Sequence, residues 1–190
     1  MKTGKIFIIA APSGAGKTTV TNEAIKRMAN KIDISKVITY TTRSPRQGEI
    51  NGKDYHFISL KDFENKLKNN FFLETTKYSG EFYGSPASII NDLKLGKSFV
   101  IVTDLVGVKE YKKLLSNAIL IWITVPSLDI LKKRLIKRGD DKDKIEKRIE
   151  LAIKELKEAD KSRFFDYKII NNIFDQTVAE LCKVIETNVD

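Results

Sequence analysis

The stretch Ile6-Phe7-Ile8-Ile9-Ala10, followed directly by Ala11-Pro12-Ser13-Gly14-Ala15-Gly16-Lys17-Thr18-Thr19, decides the fold of this chain. The five apolar residues are typical of a short buried strand, and the loop after them ends in the Gly-Lys-Thr of a phosphate-binding loop. Gly14 and Gly16 let successive backbone N–H groups face one anion. Lys17 can reach the outer phosphates of a nucleotide, and the Thr18 hydroxyl can hold Mg²⁺. The sequence therefore predicts that residues 11–19 bind a nucleoside triphosphate.

The residues after this loop continue as a helix, because apolar side chains recur at helical spacing at Val20, Ala24, Ile25 and Met28. The positive N-terminal end of such a helix adds to phosphate binding. An ordinary glycine-rich turn is the alternative interpretation of the loop. Strand, loop and helix nevertheless stand in the order that a phosphate site requires, which favours the phosphate-binding interpretation.

Length and composition predict a single domain of an ordinary globular protein. The chain has 190 residues, of which 42% are hydrophobic and 31% charged. No apolar run approaches the length of a membrane span, and the residues before the first strand leave no room for a secretory or transit segment. Cys182 is the single cysteine, so no internal disulfide can form. We therefore expect a cytoplasmic protein with no membrane partner.

The net charge of +9 fits either a nucleic-acid binder or a site for polyanionic small molecules. Lysines are scattered over the whole chain, as on a solvated surface, and no stretch interleaves basic with aromatic residues. Arginines are scarcer and fall together at Arg43 and Arg46 and again between 134 and 148. Because guanidinium groups bind phosphate with two parallel hydrogen bonds, this distribution favours small phosphorylated ligands over nucleic acid.

The rest of the chain alternates short apolar strands with helical patterns, which is typical of an α/β fold with a parallel sheet covered on both faces. The clearest strands are expected at residues 6–10, 98–102, 118–124 and 167–170. Helices are expected at residues 18–29, 86–95, 107–115, 128–138, 144–160 and 176–187.

Two segments depart from this alternation. Residues 39–85 contain short β-type pieces, several glycines and one helix capped by Ser59, which indicates a β-rich insertion. Residues 128–161 are expected to form two highly charged helices separated by Gly139, which indicates two solvated helices, a mobile helical lid, or both. The expected core is then residues 1–38, 86–127 and 162–190.

The insertion carries a characteristic series of residues. It begins Thr39-Tyr40-Thr41-Thr42-Arg43-Ser44-Pro45-Arg46-Gln47-Gly48-Glu49 and continues with Asn51-Gly52-Lys53-Asp54-Tyr55-His56-Phe57, Phe72-Leu73-Glu74 and Tyr83-Gly84-Ser85. With these motifs and the phosphate loop, the chain resembles guanylate kinase from about Lys5 to Asn172. The resemblance implies a P-loop NTPase fold: a five-stranded parallel sheet flanked by helices, a β-rich GMP-binding insertion and a helical lid. It also implies transfer of the γ-phosphate of ATP to GMP, with Mg²⁺.

The resemblance assigns roles to eight residues of the GMP site. Those around the GMP phosphate are Arg43, Arg46, Tyr55 and Tyr83, and those toward guanine are Thr39, Glu74, Ser85 and Asp104. Guanidinium forks and tyrosine hydroxyls suit a phosphate. One carboxylate can accept both N1–H and N2–H of guanine, whereas adenine would oppose its lone pairs with an acceptor, so Glu74 is expected to reject adenine.

The resemblance also assigns the transfer step. Lys17, Arg43 and the lid residues Arg134, Arg138 and Arg148 are implied to neutralise charge on the transferring phosphoryl group, and Asn171 to contact the adenine of ATP. The attacking phosphate of GMP is mostly ionised at neutral pH, because its second pKa is about 6. No general base is therefore expected.

The chain departs from the family pattern at three positions. Ala11 replaces the first glycine of the loop, Val102 replaces an acidic residue that would support Mg²⁺, and Val106 replaces a glutamine. Two other functions compete with GMP kinase: phosphorylation of ribose 1,5-bisphosphate, and phosphopeptide binding by a non-catalytic guanylate-kinase-like module. The sequence leaves open whether the protein is a monomer or a homo-oligomer.

Overall fold

The computed structural model describes residues 3–137 and 142–189. In chain order the elements are β1 (Ile6–Ala10), α1 (Lys17–Met28), β2 (Ile34–Lys36), β3 (Tyr40–Thr41), β4 (His56–Phe57), α2 (Leu60–Lys68), β5 (Phe72–Tyr78), β6 (Glu81–Pro86), α3 (Ile89–Lys94), β7 (Ser98–Thr103), α4 (Leu105–Leu114), β8 (Ile119–Thr124), α5 (Leu128–Lys137), α6 (Lys142–Lys161), β9 (Tyr167–Ile170) and α7 (Phe174–Val189).

A five-stranded parallel sheet forms the core, in the order β2-β7-β1-β8-β9. Every residue of β1 is buried. Alternate side chains of β1 enter different core clusters: Phe7 and Ile9 pack with α1 and α7, and Ile6 and Ile8 pack with α3 and α4. Helices therefore cover both faces, and the expected α/β fold with its five-stranded parallel sheet is confirmed.

The second sheet is built from residues 40–86, in the order β4-β3-β6-β5. Strands β5 and β6 form a hairpin whose turn has positive φ at Ser79 (51°) and Gly80 (89°), as a two-residue hairpin turn requires. The preceding helix α2 begins as the sequence predicts, since Ser59 accepts a hydrogen bond from the Asp62 N–H at 3.1 Å. The insertion is therefore β-rich, as expected.

Two sequence-based boundaries need correction. The helix expected at 86–95 is the shorter α3 (Ile89–Lys94), because Pro86 still belongs to β6 and pairs with Phe72. Strand β2 (Ile34–Lys36) was not located by the apolar pattern, because only Ile34 is buried among its three residues. Within the described residues, no helix combines the length and the apolar character needed to cross a membrane.

Candidate active site

A large cleft lies where the core sheet, the second sheet and the charged helices meet. The phosphate loop, Asp104 and Asn171 follow β1, β7 and β9 directly, at the carboxyl edge of the parallel sheet, where ligands of such sheets bind. The cleft has a volume of about 2050 Å³. Because a site for one small ligand usually measures roughly 300–1,000 Å³, this cleft has room for two nucleotides.

The phosphate loop has the backbone that its sequence predicts. Gly14 and Gly16 have φ of 87° and 86°, in the left-handed region that favours glycine. A Cβ atom at Gly16 would also lie 2.7 Å from Nδ2 of Asn171, so a side chain at this position would displace the amide that holds the loop. Helix α1 begins at Lys17, and its positive N-terminal end lines the cleft.

Ala11 is compatible with this loop. Among the described residues, the non-glycine positions with positive φ are Asn70 and Ser79 alone, so position 11 does not require glycine. Ala11 is buried, and its carbonyl oxygen accepts a hydrogen bond from Nζ of Lys17 at 3.4 Å. The first departure from the family pattern therefore leaves the loop intact.

Asn171 and Arg134 hold the backbone of the phosphate loop by hydrogen bonds. The Ala15 carbonyl oxygen accepts hydrogen bonds from Nδ2 of Asn171 at 2.6 Å and from Nη1 of Arg134 at 3.2 Å. Nη2 of Arg134 also donates to the Asn171 carbonyl oxygen at 3.1 Å. Asn171 is 4% exposed, so its amide group is committed to the loop backbone. In this structure both side chains position the loop.

The second helix of the charged segment reaches the loop through Arg148, whose Nη1 donates to Oγ of Ser13 at 3.4 Å. Arg134 and Arg148 thus both lie against the phosphate loop, from α5 and α6. The third expected lid arginine, Arg138, lies outside the described residues. The described part of the chain contains no group of three or more His, Cys, Asp or Glu residues that could hold a metal ion.

On the opposite wall, four residues of the expected phosphate site lie together. The Tyr55 and Tyr83 rings are 6.1 Å apart, and Cζ of Arg43 lies 5.3 Å from the centre of the Tyr55 ring. Arg46 follows on the same loop and is exposed to the cleft. The predicted phosphate residues are therefore neighbours in the fold.

Glu49 organises this cluster, although the motifs assign it no role. Its two carboxylate oxygens each accept a hydrogen bond from Arg43 at 2.9 Å, and Oε2 accepts another from the Arg46 N–H at 2.7 Å. Burial alone would raise the pKa of Glu49, but the hydrogen bonds from Arg43 and Arg46 outweigh it and lower the pKa below its usual value. Glu49 is therefore ionised and fixes the Arg43 guanidinium in place.

The expected base-binding residues form a second, deeper group. Glu74 and Ser85 are direct partners across β5 and β6, and both are buried. Asp104 caps α4, where its Oδ1 accepts from the Gly107 N–H at 2.8 Å. Thr39 is also buried at the same wall of the cleft.

The buried carboxyl group of Glu74 has the properties of a hydrogen-bond acceptor for a ligand. Burial, together with the negative charges of Asp104 and Glu110, raises its pKa to about 7, and a hydrogen bond from Tyr111 opposes this rise. Its Oε1 atom is buried and has no hydrogen-bond partner in the described structure. A buried carboxyl oxygen without a partner is costly, so a ligand with N–H groups would bind there favourably.

A second buried carboxyl, Glu155 on α6, was missed. Its pKa is raised to about 7, mainly by burial and also by the negative charge of Asp104. The positive charge of Lys17 and hydrogen bonds from the Tyr78 hydroxyl and the Ser13 N–H oppose this rise. Glu155 thus joins α6 to the phosphate loop and to the β5 strand. It lies two turns after Arg148 on one face of α6, a spacing that the sequence does show.

We expect Glu155→Gln to stabilise the unliganded protein at alkaline pH. The pKa of Glu155 is about 7 in the folded protein and 4.5 in the unfolded chain. The buried charge therefore lowers the free energy of unfolding by its full amount above pH 7, and it has no effect below pH 4.5, where Glu155 is protonated in both states. The gain in free energy of unfolding should be about 1–3 kcal/mol at pH 8. It should disappear as the pH falls toward 4.

Urea unfolding at pH 8 and pH 5 measures this gain, and Glu150→Gln, at an exposed position of the same helix, is the matched control. Equal stability changes at the two pH values would contradict a buried carboxyl at position 155.

The fold and the loop define the chain as a P-loop protein of the nucleotide-binding class. A family model described as "Guanylate kinase" matches residues 3–188, and the chain belongs to this family. Guanylate kinase of Bdellovibrio bacteriovorus is 40% identical over 188 residues, covering 98% of each chain. Guanylate kinase of Francisella tularensis subsp. holarctica is 38% identical over 187 residues, covering 97% of each chain.

The crystal structure of guanylate kinase from Anaplasma phagocytophilum is similar throughout. Its TM-score with this chain is 0.77 at 25% sequence identity, and the match covers 98% of this chain and 86% of that one. The resemblance that the motifs indicated is therefore confirmed in sequence and in fold.

Proposed function

We propose that the chain transfers the γ-phosphate of ATP to GMP and releases ADP and GDP. One observation carries this proposal: a single cleft, large enough for two nucleotides, is lined by three features. These are the phosphate loop, the arginine–tyrosine phosphate site and the buried Glu74 carboxyl group, one oxygen of which has no hydrogen-bond partner in the described structure. Membership of the guanylate kinase family supports it. We assign GMP binding to residues 39–85 and the lid to residues 128–161.

ATP would bind with its phosphates on the loop of residues 11–19 and the N-terminus of α1. The backbone N–H groups of this loop, with Lys17, would hold the β- and γ-phosphates. Arg134 and Asn171 hold the loop carbonyl of Ala15 and thereby fix the shape of this cradle. Asn171 would border the adenine.

The Thr18 hydroxyl would hold Mg²⁺ together with phosphate oxygens and water, a hard oxygen set that suits this ion. The ion would supply charge neutralisation between the β- and γ-phosphates. Thr18 directly follows Lys17 at the start of α1, and the loop has the backbone shape of a phosphate cradle, so the residues present fit the group.

GMP would bind on the opposite wall. Arg43, Arg46, Tyr55 and Tyr83 would surround its phosphate, and Glu49 would keep the Arg43 fork in position for it. Glu74 would accept N1–H and N2–H of guanine, with Thr39, Ser85 and Asp104 around the base. Such a site favours guanine because adenine would leave buried acceptors unpaired.

Transfer then requires alignment and charge neutralisation. The ionised GMP phosphate attacks the γ-phosphorus, the bond to the β-phosphate oxygen breaks, and ADP leaves; no side chain has to remove a proton. Lys17, Arg43, Arg134, Arg138 and Arg148 would share the developing negative charge. The contacts of Arg134 and Arg148 with the loop would let the lid helices close over the phosphates and exclude water.

The physiological setting follows from the substrates. We place the protein in the cytoplasm, where ATP and GMP are its partners, and assign it no nucleic-acid or membrane partner. It would act as a monomer or a homo-oligomer.

A direct assay tests the proposed function. ADP formation from ATP is measured with GMP, AMP, UMP and ribose 1,5-bisphosphate as acceptors, with and without Mg²⁺. We expect efficient turnover with GMP alone and loss of turnover when Mg²⁺ is chelated. Preference for ribose 1,5-bisphosphate would identify the sugar kinase instead. Absence of ADP formation with every acceptor, together with tight phosphopeptide binding, would identify a binding module.

A further inference from the structure

Tyr111, on α4, is a buried polar residue that the proposed mechanism does not yet use. Its side chain is 1% exposed and borders the cleft. Its hydroxyl oxygen lies 2.6 Å from Oγ of Ser85 and also forms a hydrogen bond with the Glu74 carboxyl. Because a phenol has a single proton, the Tyr111 hydroxyl accepts from Ser85 when it donates to ionised Glu74. One phenol oxygen therefore connects both members of the Glu74–Ser85 cross-strand pair.

The position of Tyr111 follows from the packing of α4. This helix starts at its Asp104 cap, at the carboxyl end of β7, and packs against β5, where Glu74 lies. Leu105, Val108 and Tyr111 form its buried face. In sequence this stripe is indistinguishable from an ordinary apolar helix face, and only the fold shows that the hydroxyl meets two polar side chains of another sheet.

We propose that Tyr111 is a positioning residue that holds Glu74 and Ser85 in the orientation that reads guanine. This inference rests on the proposed function, because it concerns the base site for GMP.

The geometry explains why a hydroxyl is needed at this point. A phenol offers one donor and also accepts, so it can bridge a serine hydroxyl and a carboxylate in a site that excludes water. With one carboxylate oxygen held by Tyr111, the other remains for the base; Oε1 of Glu74 is the oxygen without a partner. Without the bridge, the carboxyl group could rotate away from the plane of the base.

The charge state of Glu74 gives a second, independent effect. Burial raises the pKa of Glu74 most strongly, and the negative charges of Asp104 and Glu110 add to this rise, whereas the hydrogen bond from Tyr111 lowers it. Loss of the Tyr111 hydroxyl therefore raises the pKa of Glu74 further and keeps more of it protonated near neutral pH. A protonated carboxyl cannot accept two hydrogen bonds from guanine.

The test compares Tyr111→Phe, which keeps the ring and removes only the hydroxyl, with wild type. Tyr167→Phe is the matched control, because it also removes a tyrosine hydroxyl with a hydrogen bond, to Asn188, outside the cleft. We expect the KM for GMP to rise about tenfold in Tyr111→Phe, while kcat and the KM for ATP change less than about twofold. The acid limb of kcat/KM for GMP should move to higher pH.

A double-mutant cycle with Glu74→Gln separates positioning from packing. If Tyr111 acts through Glu74, Tyr111→Phe should change the KM for GMP less than about twofold in the Glu74→Gln background. An undiminished effect in that background would overturn the inference, because the hydroxyl would then act independently of Glu74.

Other outcomes are equally decisive. An unchanged KM for GMP and an unchanged pH profile in Tyr111→Phe, with active wild type, would overturn this inference and leave the proposed function standing. A Tyr111→Phe protein without a cooperative thermal transition would also overturn it, since the hydroxyl would then serve the fold. Wild type that fails to phosphorylate GMP would overturn the proposed function and this inference together.

Discussion

Lys17→Met is expected to lower the turnover of ATP with GMP by about a hundredfold to a thousandfold. The ammonium group of Lys17 lies at the start of α1, where negative charge on the transferring phosphoryl group would develop, and methionine keeps the length of the side chain without its charge. Removal of one preorganised charge from such a site costs about 3–4 kcal/mol of transition-state stabilisation. Steady-state kcat, measured with ADP detection at saturating ATP and GMP, gives the loss.

The control for this variant is Lys94→Met, which removes an exposed ammonium group from α3, away from the cleft. It should retain wild-type turnover. The hydrogen bond from Lys17 to the Ala11 carbonyl is long, at 3.4 Å, so Lys17→Met should keep the thermal transition of wild type. More than a tenth of wild-type turnover in Lys17→Met would contradict the role assigned to the lysine.

The phosphate loop could be predicted from the sequence because all its determinants are local. Strand β1, the two glycines with positive φ and the start of α1 lie within about twenty consecutive residues, and each has its own signal in the chain. The parallel sheet followed from buried strands alternating with helices for the same reason. The resemblance also grouped Arg43 with Tyr55 and Tyr83. The fold makes them neighbours because Tyr83 lies on β6, while Arg43 follows β3 and Tyr55 precedes β4 of the same small sheet.

The supporting residues could not be predicted, because their roles depend on contacts between distant parts of the chain. Tyr111 reads as an apolar helix position until β6 places Ser85 against its hydroxyl. Asn171 and Arg134 meet at one carbonyl oxygen only after β9 and α5 pack beside the loop. Glu155 reads as one charge among many on α6 until the fold buries it.

The two raised carboxyl pKa values share a physical cause and differ in consequence. Glu74 and Glu155 are both buried, and both have a pKa of about 7. Each also has one buried oxygen without a hydrogen-bond partner in the described structure, Oε1 of Glu74 and Oε2 of Glu155. The positive charge of Lys17 acts on Glu155 and lowers its pKa. The charged groups that act on Glu74, Asp104 and Glu110, are both negative, so N–H donors for its Oε1 have to come from a ligand.

Glu74→Gln is expected to raise the KM for GMP by about tenfold to a hundredfold, with the KM for ATP unchanged. Glutamine offers one acceptor and one donor where guanine N1–H and N2–H require two acceptors, and an unpaired or opposed buried group costs about 1–3 kcal/mol. The variant should nevertheless be at least as stable as wild type above pH 7, because it removes a buried charge. Loss of stability together with parallel loss of ATP and GMP affinity would instead make Glu74 a structural residue.

The pH dependence of GMP binding should change in the same variant. In wild type, guanine requires ionised Glu74, whose pKa is about 7 before GMP binds, so affinity for GMP should fall about tenfold for each pH unit below 7. The GMP phosphate also titrates, with a second pKa of about 6, but this contribution is common to both proteins.

The effect of the carboxyl group is isolated by one ratio: the dissociation constant of GMP for Glu74→Gln divided by that for wild type. Calorimetry from pH 5.5 to 8.5 measures both constants. We expect this ratio to be largest above pH 7 and to shrink as the pH falls, because protonated glutamic acid and glutamine then offer the base the same single acceptor. A ratio independent of pH would show that Glu74 does not titrate in this range.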